Sequence, residues 1–133
     1  MGYTTSTIAS NASNAGSMSC GRRIAEYRFG RVTVDGRPLT RDVIVLPGRL
    51  VENWWRQEGH HLAWVDLEDV VDELPERLVV GTGADERMRP DPEVLDRLKE
   101  RGVEVECLQT DQAVARFAEL DPTKTAAALH LTC

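Results

Sequence analysis

The run Leu78-Val79-Val80-Gly81-Thr82-Gly83-Ala84 constrains this chain more than any other stretch. Three apolar residues, two of them β-branched, suit a strand covered on both faces, and two glycines directly after it allow a sharp turn or a close approach. A buried strand ending in such a loop predicts an α/β sheet, and in open α/β sheets ligands sit just beyond the carboxyl ends of strands. Gly81, Thr82 and Gly83 are therefore candidate binding residues.

The pattern around this strand is β first and alternating α and β afterwards. Ile24, Tyr27, Phe29, Val32 and Val34 form a hairpin pattern broken at Gly30 and closed by Asp35-Gly36, a strong turn signal. Arg41–Leu46 reads as a strand ended by Pro47-Gly48. A short helix or loop follows through Trp54-Trp55 and Gly59. Asp66 is expected to cap a helix, because Leu67, Val70, Val71 and Leu74 fall at i, i+3, i+4 and i+7 before Pro75. Asp91-Pro92 predicts a second helix stopped at Gly102, and Val103–Leu108 alternates as a half-covered strand should. Thr110 or Asp111 is expected to cap another helix carrying Val114, Phe117 and Leu120, and Ala126–Thr132 is the last strand. A single α/β domain over residues 22–133 is expected.

Residues 1–21 have a different composition. Serine, threonine, asparagine, alanine and glycine dominate, and residues 1–20 hold no charge and little to bury, so a flexible tail is expected. No apolar run approaches the ~18 residues of a membrane span. Three cysteines without close pairing, and no apolar signal-peptide core, point to a reducing compartment. The cytoplasm is the expected location, with the mitochondrion as the alternative. Net charge is −6, divided as +4 over residues 1–56 (eight arginines, four acids) and −10 over residues 57–133 (eight bases, eighteen acids). The acidic balance disfavours nucleic acid, whose phosphates need a basic excess. The asymmetry suits a solvated surface or complementary docking, so a protein partner or a homo-oligomer is compatible.

Site chemistry is sparse. The glycine pair fails as a dinucleotide fingerprint, because Glu86 holds the third-glycine position and the next helix starts only near Pro92. No Gly-Lys-Ser/Thr follows, which excludes a P-loop. His60, His61, His130, Cys20, Cys107 and Cys133 lack zinc-ligand spacing, so no metal and no cofactor is expected. Trp54, Trp55 and Arg56 are the other candidate binding residues. Adjacent tryptophans cannot both hide on one side of a regular element, and Trp and Arg dominate interface hot spots. Packing in the core competes with that reading.

Five segments stand in one order: Tyr27-Arg28-Phe29-Gly30-Arg31-Val32-Thr33-Val34-Asp35-Gly36, Asp42-Val43-Ile44-Val45-Leu46-Pro47-Gly48, Trp54-Trp55-Arg56 with Gly59-His60, Gly81-Thr82-Gly83, and Ala126-Ala127-Ala128-Leu129-His130-Leu131-Thr132-Cys133. In these, residues 22–133 resemble the small single-domain family that includes the adipogenesis-associated domain protein and a mitochondrial complex I assembly factor. The resemblance implies a three-layer α/β domain with a mixed central sheet and an additional β-hairpin layer. It implies no enzyme activity, and for the mitochondrial member an assembly role. Two functional classes follow: a non-catalytic binding or assembly-accessory domain, or a small-molecule enzyme with a pocket at Gly81–Gly83. The lack of an ordered acid, base, nucleophile and metal set favours the first.

Overall fold

The protein is described here by a computed structural model that covers residues 22–56, 61–85 and 88–132. The expected tail over 1–21, with Cys20, lies outside the described residues, as do Gly59, His60, Glu86, Arg87 and Cys133. In chain order the elements are β1 (Ile24–Arg28), β2 (Arg31–Val34), β3 (Arg37–Leu39), β4 (Val43–Val45), β5 (Leu50–Val51), β6 (His61–Leu62), β7 (Arg77–Gly81), β8 (Arg89–Pro90), α1 (Pro92–Glu100), β9 (Glu104–Leu108), α2 (Thr110–Glu119) and β10 (Thr125–Leu129). Five strands form the central sheet in the order β5-β4-β10-β7-β9. β9, β7 and β10 are mutually parallel, whereas β4 runs antiparallel to both β10 and β5, so the sheet is mixed.

Period-2 alternation puts a hydrophobic set on each face of this sheet. Ile44, Leu46, Leu78, Val80, Ala126 and Ala128 meet Val94 and Leu98 of α1, together with Leu62, Leu67, Val70 and Trp54. On the opposite face, Val43, Val45, Val79, Ala127 and Leu129 meet Ile24, Val32, Val34 and Leu39 of the first three strands, and Ala113 and Phe117 of α2. The result is a three-layer α/β domain with an additional β layer. Each fully buried Leu, Val or Phe contributes about 1.5–3 kcal/mol. Alanine is a poor strand former. In β10 its small side chains suit a strand that is buried on both faces from Thr125 through Leu129.

Asp35 and Gly36 both have positive φ (53° and 82°), the backbone of a two-residue hairpin turn. They join β2 to β3, so the expected hairpin is a three-stranded antiparallel meander whose third strand the hydrophobic pattern does not mark. The helix expected after Asp66 is absent. Two 3₁₀ turns, Trp64–Asp66 and Val71–Glu73, occupy the segment. Val70 N–H donates to Leu67 O (3.0 Å) rather than to Asp66 O, which instead accepts the Trp54 indole N–H (3.0 Å). The i→i+3 spacing still buries Leu67 and Val70, so the apolar period survives a change of helix type. Asp91 opens α1 as expected, but its carboxylate pairs with His61 (2.9 Å) and makes no cap bond. The last strand stops at Leu129; Thr132 accepts a hydrogen bond from Ala84 N–H (2.7 Å) outside any ladder.

Candidate functional site

The antiparallel register of β4 and β10 pairs Val43 with Leu129 and Val45 with Ala127. One step further along the same register, Asp42 faces His130, although 88 residues separate them in sequence. Asp42 directly precedes β4 and His130 directly follows β10, and because the two strands are antiparallel both side chains lie at the same end of the central sheet. Asp42 also anchors the tryptophan segment, because Trp54 N–H donates to Asp42 O (2.8 Å). That bond brings Arg56 inward.

Arg56, Asp42 and His130 form a compact ionic cluster. Arg56 Nη2 lies 2.8 Å from Asp42 Oδ2, His130 Nδ1 lies 2.8 Å from the same oxygen, and Nη2 and Nδ1 are 2.9 Å apart. A deprotonated Nδ1 would set its lone pair against the carboxylate. The tautomer protonated at Nδ1 instead lets both groups donate to Oδ2. Leu131 N–H donates to the other carboxylate oxygen (2.9 Å). The Arg56 side chain is only 3% exposed and that of His130 7%, against 17% for Asp42. Burial pushes the Asp42 carboxyl up. The hydrogen bonds from His130, Leu131 N–H and Arg56, with the Arg56 charge, outweigh it and hold Asp42 below the usual carboxylate range. The Arg56 guanidinium also lies over the Trp54 ring, 4.7 Å from its centroid.

The adjacent tryptophans divide as their geometry requires. Trp54 is 7% exposed and belongs to the core, whereas Trp55 is 75% exposed. Asn53, held at φ 57°, precedes the pair in a left-handed turn. Trp55 separates two surface clefts. One, of about 490 Å³, is lined by Thr40, Arg41, Asp42, Asn53 and Thr132 besides the tryptophans. The other, of about 320 Å³, adds Val51, Val65 and Asp69. Val65 is itself 47% exposed, so Trp55 belongs to a small apolar patch next to charged side chains.

The glycine loop is built differently from the open ligand loop that its sequence suggests. Thr82 N–H donates to Leu108 O (2.8 Å), Gly83 N–H to Thr110 Oγ1 (2.8 Å) and Ala84 N–H to Thr132 O (2.7 Å). The N–H groups an anion would need are thus already engaged. Thr82 is buried, and its hydroxyl donates to Leu108 O (2.9 Å). A Cβ on Gly81 would sit 3.0 Å from both Leu129 Cδ2 and Thr110 Oγ1, so this glycine is required by packing against β10 and α2. The Thr110 hydroxyl, expected as a helix cap, donates instead to His130 O (2.6 Å). His130 N–H donates to Gly81 O (3.0 Å). Loop and tryptophan segment are therefore linked through His130, whose backbone meets Gly81 and Thr110 and whose imidazole meets Arg56.

Sequence reasoning picked out Trp54, Trp55 and Arg56 but not Asp42 or His130. The available signal was positional: a lone acid just before the all-apolar Val43–Leu46, and a lone histidine just after Ala126–Leu129. Among the described residues, no three His, Cys, Asp or Glu side chains converge as metal ligands, and no helix is long and apolar enough to cross a membrane.

The profile of a family described as a protein of unknown function (DUF498/DUF598) matches residues 24–130. Three solved structures illustrate the likeness. A conserved hypothetical protein from Pyrococcus horikoshii OT3 is 28% identical, with a TM-score of 0.70 over 84% of this chain and 99% of that one. A protein described as an outer membrane protein from Bartonella henselae is 24% identical, with a TM-score of 0.72 over 86% and 98%. A Bordetella pertussis protein described as a Mth938-like domain is 18% identical, with a TM-score of 0.69 over 91% and 92%. The last two, below 25% identity, speak for the fold alone.

Proposed function

The chain belongs to the DUF498/DUF598 family, whose function is unknown, and from that premise we propose that it is a non-catalytic binding or assembly-accessory domain. Its contact surface centres on Trp55, which the buried Trp54 and Arg56 hold in place and which the Gly81-Thr82-Gly83 loop supports through His130. The observation that carries this reading is Trp55, 75% exposed directly between a core tryptophan and a buried arginine. A large side chain kept in water next to rigid, fully packed neighbours is pre-organised, and burying it against a partner costs little ordering entropy. The occupant is a protein, and the role is of the kind implied by the resemblance to a complex I assembly factor. The cytoplasm is the expected compartment, with the mitochondrion as the alternative.

The test is affinity capture from extract of the source cells with wild-type protein and Trp55→Ala, read by mass spectrometry. Loss of a hot-spot tryptophan costs about 2 kcal/mol or more, so capture of a discrete partner should fall at least tenfold with an unchanged melting temperature. Undiminished capture by well-folded Trp55→Ala would remove the proposal. Co-purification of a small molecule that the protein converts would favour the enzyme reading instead.

A further inference from the structure

The exposed sheet edges differ in how they resist pairing. β5, at one end of the central sheet, is two residues long. In the meander, β3 contains Pro38, and β1 is interrupted by Glu26 at φ 52° and a register shift between Ala25 and Arg28. β6 and β8 have two residues each, one of them Pro90. These are the usual protections against edge-to-edge association. β9 is a five-residue edge strand without proline or bulge, and its two charged residues, Glu104 and Glu106, are both paired with arginine.

The hydrogen-bond phase of β9 is fixed by its ends. Glu104 N–H donates to Glu76 O (2.9 Å), and Leu108 O accepts from Thr82 N–H (2.8 Å). In a parallel ladder this turns the backbone groups of Glu104, Glu106 and Leu108 toward β7, and those of Val105 and Cys107 outward. The flanking outward groups are occupied, since Val103 N–H donates to Leu98 O (2.9 Å) and Gln109 O accepts from Ala113 N–H (2.7 Å). Two donors and two acceptors are thus left facing outward, at positions 105 and 107.

We propose that β9 pairs antiparallel with β9 of a second copy of this chain, about a two-fold axis through Glu106, to form a ten-stranded continuous sheet. This interface is separate from the tryptophan surface. In that register Val105 opposes Cys107 of the second copy, and the two positions exchange both N–H···O bonds, four in all. A two-fold axis through Val105 or Cys107 meets the occupied Val103 or Gln109 groups and makes fewer. The axis places Glu106 opposite Glu106 of the second copy, where like charges would repel. Each carboxylate already carries two guanidiniums, Arg77 at 2.9 Å and Arg116 at 3.0 Å. The opposing carboxylates therefore meet four arginines, which offset their repulsion although Arg77 is shared with Glu104 and Arg116 with Glu119. Beside the strand, a cleft of about 510 Å³ lined by Leu95, Lys99, Val103 and Val105 would be covered by the second copy, and Leu95 is exposed at its rim.

Sedimentation equilibrium of the full chain should give a dimer of 14.8 kDa subunits. Cys107→Pro removes an outward N–H that the β7 ladder does not use, so the fold tolerates it while two of four bonds are lost. The dimer dissociation constant should rise about 100-fold at unchanged circular dichroism. Should proline unfold the chain, Val105→Lys gives the same reading from the opposing position. Hydrogen exchange identifies the surface: amides 105 and 107 should be protected in the dimer, amide 105 should open in Cys107→Pro and both should open in Val105→Lys, with 106 and 108 protected throughout. A wild-type monomer at millimolar concentration, or a dimer whose 105 and 107 amides exchange freely, would overturn the proposal.

Discussion

Asp42→Asn tests the central claim about the buried cluster, because it changes charge while conserving shape. An asparagine oxygen can still accept the Leu131 N–H now donated to Oδ1 at 2.9 Å. Its amide nitrogen would then face Arg56 Nη2 and His130 Nδ1, where the carboxylate now accepts both at 2.8 Å. The Arg56 side chain, 3% exposed, keeps its charge without the counter-ion. Breaking a buried pair in this way costs roughly 3–5 kcal/mol, and the retained Leu131 bond puts the change near the lower limit, about 3 kcal/mol. At this chain length that corresponds to a fall in melting temperature of about 10–15 °C. Urea denaturation at pH 7 measures it directly. The difference should also depend on pH with a definite sign. Asp42 is held below its unfolded value, so its contribution is present above about pH 4 and is lost as pH falls through the folded value. Wild type and Asp42→Asn should therefore converge in stability in the acid range below pH 4. A cost under about 1 kcal/mol at pH 7 would mean that Arg56 does not depend on Asp42, and would refute the reasoning.

Two further changes probe the joint between the glycine loop and the last strand. Thr110→Val removes the hydroxyl that donates to His130 O and accepts from Gly83 N–H, leaving two buried groups unsatisfied; thermal denaturation should show a loss of about 2 kcal/mol or more, largely restored in Thr110→Ser. Gly81→Ala forces a Cβ to 3.0 Å from Leu129 Cδ2 and 3.0 Å from Thr110 Oγ1; overpacking of this kind should cost about 1–3 kcal/mol by the same measurement.

What the sequence disclosed follows the range over which each interaction acts. Leu78–Gly81, Asp91-Pro92 and Asp35-Gly36 declare a strand, a helix start and a turn from adjacent residues, and all three are where their local chemistry puts them. The segment after Asp66 was misread because its outcome depends on Trp54, whose indole takes the carbonyl an α-helix would need. The two-residue strands β5, β6 and β8 carry too few positions for a period to register. Trp55 and Arg56 were legible as residue types, but that one is exposed and its neighbour buried depends on contacts with Asp42 and His130. Asp42 and His130 were invisible as a pair, since only the β4–β10 register brings them together. The glycine loop reads as a ligand loop because glycines leave backbone groups accessible. Its acceptors come from Leu108, Thr110 and Thr132, which are distant in sequence.

The position of β10 bears on how the chain is made as well as on how it stands. Thr125–Leu129 is the middle strand of the central sheet, yet it comes last among the described strands in chain order. During synthesis, β4 with β5 and β7 with β9 emerge as two separate halves, each with an open inner edge. They cannot join until the alanine strand leaves the ribosome. Closure is therefore a late, long-range event, and the nascent chain presents Val43–Val45 and Leu78–Val80 as apolar, unpaired edges until then. A ribosome that stalls before residue 125 releases a chain with two sticky half-sheets, a substrate for chaperones and proteases.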